Sequence, residues 1–463
     1  MKRIHLTIED VFNIPDSVIY EPDKFKSIYN VTIDSRNIKK NSLFIAIKGD
    51  RFDGHYFVKE AVNNGASAVV INKKYLSRYD KVDVPLITVK NTKLALGSIA
   101  KIWRSKLNTR IIGITGSTGK TTVKDMLAEL LSEKFSVNKT IANNNNDIGV
   151  PLTILNTNNY HQVLVAELGT NHFGEIPYTA NILSPDYALI TNIGNSHLEF
   201  LKSKNGVWKE KSFLFDEAIR NNGKIFLNYD DPIVKEKHSR KGEKISFGFS
   251  GKVDVKGKIK SYTDDGKPQV EIKNKSKEYV ITSPLYGKQN AANYLASVAI
   301  ALELGLNFKE ISQASKRIKA AKGRLNVQQY KKFILIDDTY NANPESMKSA
   351  IDLVGKIKIY KRKILLLGDM LELGTKSKKL HQSLKKEIIK NNIDEVYTIG
   401  LAMKNLHNEL KLEKIISKHF NNRNSLTKLI KKMNLEGAVI LVKGSRGMKM
   451  EEFVSVIKAK SIS

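Results

Sequence analysis

The sequence contains no cysteine, which excludes a disulfide framework and any chemistry that needs a thiolate. No apolar run approaches the ~18 residues that a membrane-spanning helix requires, so no membrane insertion is expected. The opening stretch reaches Glu9 and Asp10, too soon for a secretory signal, and a cytoplasmic protein is the expectation. Internal repeats at solenoid periods and low-complexity tracts are both missing. Acidic residues are outnumbered, 47 against 77 Lys and Arg, for a net charge of +30. Such an excess can mark a nucleic-acid or anionic-lipid partner. Here the lysines are scattered in ones and twos, with no basic arm and no aromatic-interleaved RNA motif. The charge therefore reads as solvated lysine-rich faces that also help to capture an anionic substrate, and no nucleic-acid partner is expected.

What is present is a soluble globular composition, 41% hydrophobic and 27% charged over 463 residues. That length predicts roughly two to four domains. Residues 1–105 carry strand-like runs at 30–34, 43–47, 68–71 and 86–89, with a helix over 57–64 that ends at an Asn-Gly cap. A helical connector near 93–106 leads into a strand at 110–115. Further buried strands are predicted at 163–166 and 188–193. Residues 223–283 change to short alternating segments, a β-rich excursion, followed by an apolar helix over 291–304. From Phe333 onward, strands at 334–336, 364–367, 396–399 and 439–442 alternate with helices, the pattern of a doubly wound parallel sheet. The predicted fold is α/β in three domains: a small N-terminal α/β domain (1–105), a central P-loop α/β domain (106–325) and a C-terminal Rossmann-like domain (326–463).

The most specific segment is Gly113-Ile-Thr-Gly-Ser-Thr-Gly-Lys-Thr-Thr122. After it, Val123, Met126, Leu127, Leu130 and Leu131 recur at helix spacing, so strand, glycine loop and helix follow one another. Backbone N–H groups of Gly116, Ser117, Thr118 and Gly119 can surround phosphate oxygens, and the helix adds its positive end through Thr122. Lys120 supplies a charge to the β- and γ-phosphates and Thr121 a hydroxyl for Mg²⁺. Ile114 stands where the general Walker pattern has its first glycine. ATP binding follows from these residues; the reaction does not.

The form Gly-Ser-Thr-Gly-Lys-Thr-Thr resembles the Mur ligase family, and other segments agree with it in order. They are Asn143–Leu155, Glu167–Ile176, Ile190–Glu199, Asp337–Pro344, Leu367–Gly374 and Lys443–Glu451. In the first domain, Asp34-Ser-Arg36 and Gly49–His55 resemble the uridine-nucleotide end. The resemblance spans nearly the whole chain. Three of its segments, Glu167–Ile176, Asp337–Pro344 and Leu367–Gly374, are similar to the member that adds D-alanyl-D-alanine, and the dipeptide specificity leans chiefly on the first two. The Asp-Asn-Pro-Arg signature of the sister ligase is absent; the corresponding region reads Tyr340-Asn-Ala-Asn-Pro344.

The resemblance implies an ATP-dependent ligase that joins D-alanyl-D-alanine to UDP-N-acetylmuramoyl-tripeptide through an acyl phosphate, acting as a monomer. It implies two Mg²⁺ sites served by Thr121, Glu167, His197 and Lys211, with Lys211 carbamylated in preference to Lys209. Gln289, Asn293, Arg324 and Asp338 are implied at ATP's base and sugar, with Asn293 expected at the start of its helix. Ser35 and Arg36 fall at the uridine nucleotide and Asn145 on the muramoyl-peptide side. Asn341 and Asn343 would meet the dipeptide, or else form a turn that caps the next helix. Lys443 and Arg446 would bind carboxylate or phosphate, or serve structure at the surface. Ala142, Phe200 and Lys202 replace family glycines, and Gln289 a family histidine. Two alternatives remain open at this level: another ligase of the same fold (third-residue-adding or folate-polyglutamylating), and a basic P-loop ATPase stimulated by nucleic acid.

Overall fold

The computed structural model describes residues 4–49, 51–79, 82–237 and 242–461; Asp50, within the Gly49–His55 segment, lies outside them. Three sheets organise the chain, and the three-domain α/β architecture is the expected one. The first sheet has the strand order Val18–Tyr20, Leu86–Val89, Ala66–Asn72, Ser42–Ile45, Asn30–Thr32. Its helix Val58–Asn63 stops at Gly65, whose φ of +99° continues no right-handed helix. The connector helix Thr92–Ser105 begins where Asn91 Oδ1 accepts from the N–H groups of Lys93 and Leu94. It buries Leu96, Ile99, Ala100 and Trp103 along one face.

The central sheet has nine strands. Arg110–Thr115 is apolar and buried from Ile111 onward and pairs in parallel with Val163–Glu167, with Ile114 opposite Glu167. Continuous burial of this kind belongs to a strand covered on both faces. The predicted β-rich excursion consists of Lys224–Asn228, Glu243–Gly248, Val255–Tyr262, Pro268–Asn274 and Lys277–Thr282. The last three pair antiparallel, and their alternating burial leaves one face solvated.

The third sheet runs Asn326–Gln329, Phe333–Asp338, Ala438–Lys443, Arg362–Gly368, Glu395–Ile399, Ile416–Phe420. Alternate residues serve opposite faces. Ile334, Ile336, Leu365, Leu367 and Val439 pack with Met347, Ile351 and Leu406. Leu335, Ile364, Leu366 and Ile440 pack with Ile430, Phe453 and Ile457. Helices thus cover both sides, as doubly wound sheets require. The four predicted strands pair in parallel, and a strand not read from the sequence, Asn326–Gln329, adds an antiparallel edge against Phe333–Asp338. So short a link as residues 330–332 can only return the chain antiparallel.

By compactness the chain forms two units, one of residues 1–115, 134–189 and 213–225, the other of 116–133, 190–212 and 226–463. No helix among the described residues is long and apolar enough to cross a membrane.

Candidate nucleotide and ligase site

The glycine loop lies in the second unit, between the strand Arg110–Thr115 and the helix Lys120–Leu131. Gly116 has φ +149° and Gly119 φ +83°, conformations that side chains resist. Space decides as well. A Cβ on Gly116 would stand 1.9 Å from Thr191 Oγ1, and one on Gly119 2.4 Å from Asn293 Oδ1. Thr191 Oγ1 donates to the Thr118 carbonyl at 2.6 Å, and Asn192 Oδ1 accepts from the Thr118 N–H at 3.1 Å. Ser117 Oγ accepts from the Gly194 N–H at 2.8 Å. Lys120 Nζ donates to the Gly116 carbonyl at 2.8 Å, so the lysine curls back over its own loop. Thr121 is buried in the first turn of the helix.

Asn293 reaches this loop, but from a position different from the expected one. Its helix, Lys288–Glu303, starts five residues earlier behind Gly287, so Asn293 is an interior residue and no cap. Arg324 stacks its guanidinium 3.9 Å over the Tyr340 ring. Both Asp338 oxygens already have partners, Oδ1 taking the Leu325 N–H at 3.0 Å and Oδ2 facing Lys443 Nζ at 2.6 Å. Lys443, placed at the surface by one sequence reading, is only 1% exposed and also donates to the Asn341 carbonyl at 2.9 Å. Buried ammonium and buried carboxylate compensate one another.

The capping alternative describes Asn343: its side chain accepts from Ser346 N–H at 2.9 Å and starts the helix Pro344–Lys356. Asn341 is exposed, and its Oδ1 accepts from the Ala342 N–H at 2.9 Å. His197, at φ +51°, brings Nδ1 to 2.8 Å from Glu372 Oε2. That imidazole holds the Glu372 carboxyl below its ordinary range, against the opposing effect of burial. Lys211 lies 1% exposed in the helix Lys204–Arg220, whereas Lys209 is exposed. Lys211 is therefore no solvated surface lysine.

In the first unit, Glu167 ends its strand 2% exposed, and its Oε1 accepts from Asn145 Nδ2 at 2.9 Å. The Glu167 N–H donates to Thr140 Oγ1 at 2.9 Å. Asn145 also crowds Gly169, where a Cβ would lie 2.7 Å from its Oδ1. Ser35 is buried at the start of a short 3₁₀ turn, and Arg36 projects into solvent with Nε 2.9 Å from Asp34. Among the described residues, no three or more His, Asp or Glu side chains gather as a ready-made metal cluster. Sequence reasoning passed over Thr191, Asn192, Glu345 and Glu372. The first two and Glu372 lie inside segments that carried the resemblance, and Glu345 directly follows one, so the signal was local but its partners were not.

Strand, glycine loop and helix in succession define a P-loop nucleotide-binding protein of the α/β class. The chain belongs to the Mur ligase family. Residues 27–104 match the model described as Mur ligase family, catalytic domain, residues 114–301 the Mur ligase middle domain, and residues 323–446 the Mur ligase, glutamate ligase domain. The UDP-N-acetylmuramoyl-tripeptide--D-alanyl-D-alanine ligase of Bacillus subtilis is 33% identical over 97% of this chain and 98% of its own. A crystal structure of MurF from Acinetobacter baumannii is similar with a TM-score of 0.87, at 30% identity and 99% coverage of both chains. MurF from Thermotoga maritima, solved in complex with ADP, gives 0.82 at 28% identity, covering 93% of this chain and 97% of that one.

Proposed function

We infer that this chain is an ATP-dependent amide-bond ligase that joins D-alanyl-D-alanine to UDP-N-acetylmuramoyl-tripeptide in peptidoglycan precursor synthesis. The observation that carries the reading is likeness over nearly the full length to ligases of that name, with the phosphate loop intact. Carboxylate and amine do not condense unaided in water. The γ-phosphoryl group of ATP passes to the tripeptide carboxylate, giving ADP and an acyl phosphate; the deprotonated dipeptide amine then attacks the acyl carbon, and phosphate leaves.

The residue roles form part of the proposal. Gly116–Thr122 hold the phosphates, where the cradle around the two glycines leaves room for backbone donors alone. Asn293, packed against that cradle, and Arg324, on its aromatic platform, serve the nucleotide. Asp338 positions the Leu325 backbone beside the nucleotide and offers its remaining lone pairs to the ribose. Thr121 and Glu167 are hard oxygen donors suited to Mg²⁺, with His197 and Lys211 supporting it, and the ion would neutralise charge on the transferring phosphoryl group. Ser35 and Arg36 take the uridine nucleotide, Asn145 the muramoyl peptide, and Asn341 the dipeptide. Asn343 acts there through the helix that it caps. The corresponding domains are 1–105, 106–325 and 326–463. The enzyme acts as a monomer, and a cytoplasmic enzyme would meet these soluble substrates.

Phosphate release with ATP, Mg²⁺ and the UDP-muramoyl tripeptide tests the reaction. Stimulation is expected with D-alanyl-D-alanine and not with diaminopimelate, lysine, glutamate or RNA; no response to the dipeptide would overturn the reading. Burial of Lys211 supports its carbamylation, since a lysine removed from solvent can add CO₂ to become a carboxylate. Labelled bicarbonate should yield a carbamate ¹³C signal that Lys211→Arg abolishes, with activity lowered about 10- to 100-fold. A fully active Lys211→Arg enzyme would sink that assignment.

A further inference from the structure

Glu345 stands in the first turn of the helix Pro344–Lys356, two residues beyond its cap. Its Oε1 accepts from the Asn195 N–H at 3.2 Å and from Asn195 Nδ2 at 2.7 Å, with Lys204 Nζ 3.8 Å away. Its Oε2 is screened from solvent and has no hydrogen-bond partner among the described residues. A Cβ built on Gly194 would lie 3.3 Å from this Oε2 and 3.4 Å from Ser117 Cβ. The carboxylate and the phosphate loop therefore face each other across a glycine. All of these groups belong to the second unit.

An ionised oxygen hidden from water without a partner is costly. A triphosphate in the loop adds like-charge repulsion. A cation placed between the two anions removes both costs. The ligase reaction brings one to that place, because an amine substrate arrives as an ammonium and must approach the carbon that has accepted the γ-phosphoryl group. The side chain as a whole is 38% exposed, which leaves a route in.

We propose that Glu345 binds the ammonium group of the incoming amine substrate through Oε2 and orients it beside the phosphate loop. The inference rests on the ligase reading and adds a substrate-binding residue to it. Glu345→Gln keeps an oxygen acceptor for Asn195 and deletes only the charge. Steady-state kinetics of this variant should show KM for D-alanyl-D-alanine raised about tenfold or more, the loss expected for a hydrogen bond to a charged group. KM for ATP and the Mg²⁺ dependence should hold. D-Lactoyl-D-alanine, which carries a hydroxyl in place of the ammonium and keeps the carboxylate, should inhibit wild type and variant equally.

An unchanged dipeptide KM would overturn the proposal. So would a change confined to ATP or Mg²⁺, which would make the cation a metal, or an equal loss of affinity for the analogue without an ammonium, which would make the role structural. Wild-type enzyme that ignores the dipeptide would instead refute the ligase reading itself.

Discussion

Ala142 and Lys202, exposed in loops, hold φ of +50° and +65°. A Cβ in the left-handed region crowds the backbone at a cost of roughly 1–2 kcal/mol, part of which a glycine would give back as extra freedom in the unfolded chain. The family resemblance implies glycine at both positions, and a glycine there would be free of this strain. Ala142→Gly and Lys202→Gly should each stabilise the protein by about 0.5–1 kcal/mol, read as a higher urea midpoint. Phe200→Gly provides the contrast. Phe200 lies in the short helix Leu198–Leu201 and is absent from the positive-φ positions, so that change should destabilise. Residue strain of this kind is visible in a sequence only when relatives disagree with it. The burial of Lys443 is not visible at all, because its partner Asp338 is distant in sequence and the two meet only when their strands pair in parallel.

At the scale of elements, the helix Pro344–Lys356 separates two readings of the segment before it. Asn343 caps the helix through Ser346. Asn343→Ala should lower stability by about 1 kcal/mol, whereas Asn343→Asp, which keeps the acceptor, should not. If both variants lose dipeptide affinity equally while only the first melts early, Asn343 touches substrate as well. Strands with continuous apolar runs were legible to within a residue or two, as at Arg110–Thr115 and Leu86–Val89. The edge strand Ile416–Phe420 was missed because Lys418 and His419 break its apolar run and half of its surface stays solvated. The short strand Asn326–Gln329 escaped for the same reason, and with it the antiparallel edge of the sheet. The phosphate loop was legible because its glycines and lysine are contiguous. Glu345 and Glu372 were not, since their partners Asn195 and His197 lie in a different segment.

For the whole molecule, five histidines among the described residues are held below their ordinary pKa by burial: His55, His161, His381, His407 and His419. His381 shows why. Its Nε2 accepts the Met370 N–H at 3.0 Å and its Nδ1 faces the Ser377 carbonyl at 2.8 Å, an arrangement for a neutral ring. Unfolded, each imidazole titrates near about pH 6.5. Below that pH the unfolded chain binds more protons than the folded one, so stability is fully present above about 6.5 and declines as pH falls. Melting temperature measured from about pH 7.5 down to about 5.5 should drop steadily. His381→Gln should flatten part of that slope, and a melting temperature independent of pH would contradict the assignment.

The bonds around Asp338 have a mechanical consequence. Asp338 holds the Leu325 N–H, the Tyr340 N–H donates to the Gly323 carbonyl at 2.9 Å, and Arg324 is clamped on the Tyr340 ring. Residues 323–325 are thereby bolted to the end of the Phe333–Asp338 strand and move as part of its sheet. Any swing of that sheet must pivot upstream of Gly323, in the segment that follows the helix Phe308–Ser315. Arg324 is fastened to that sheet, and so would carry whatever it grips along with any such swing.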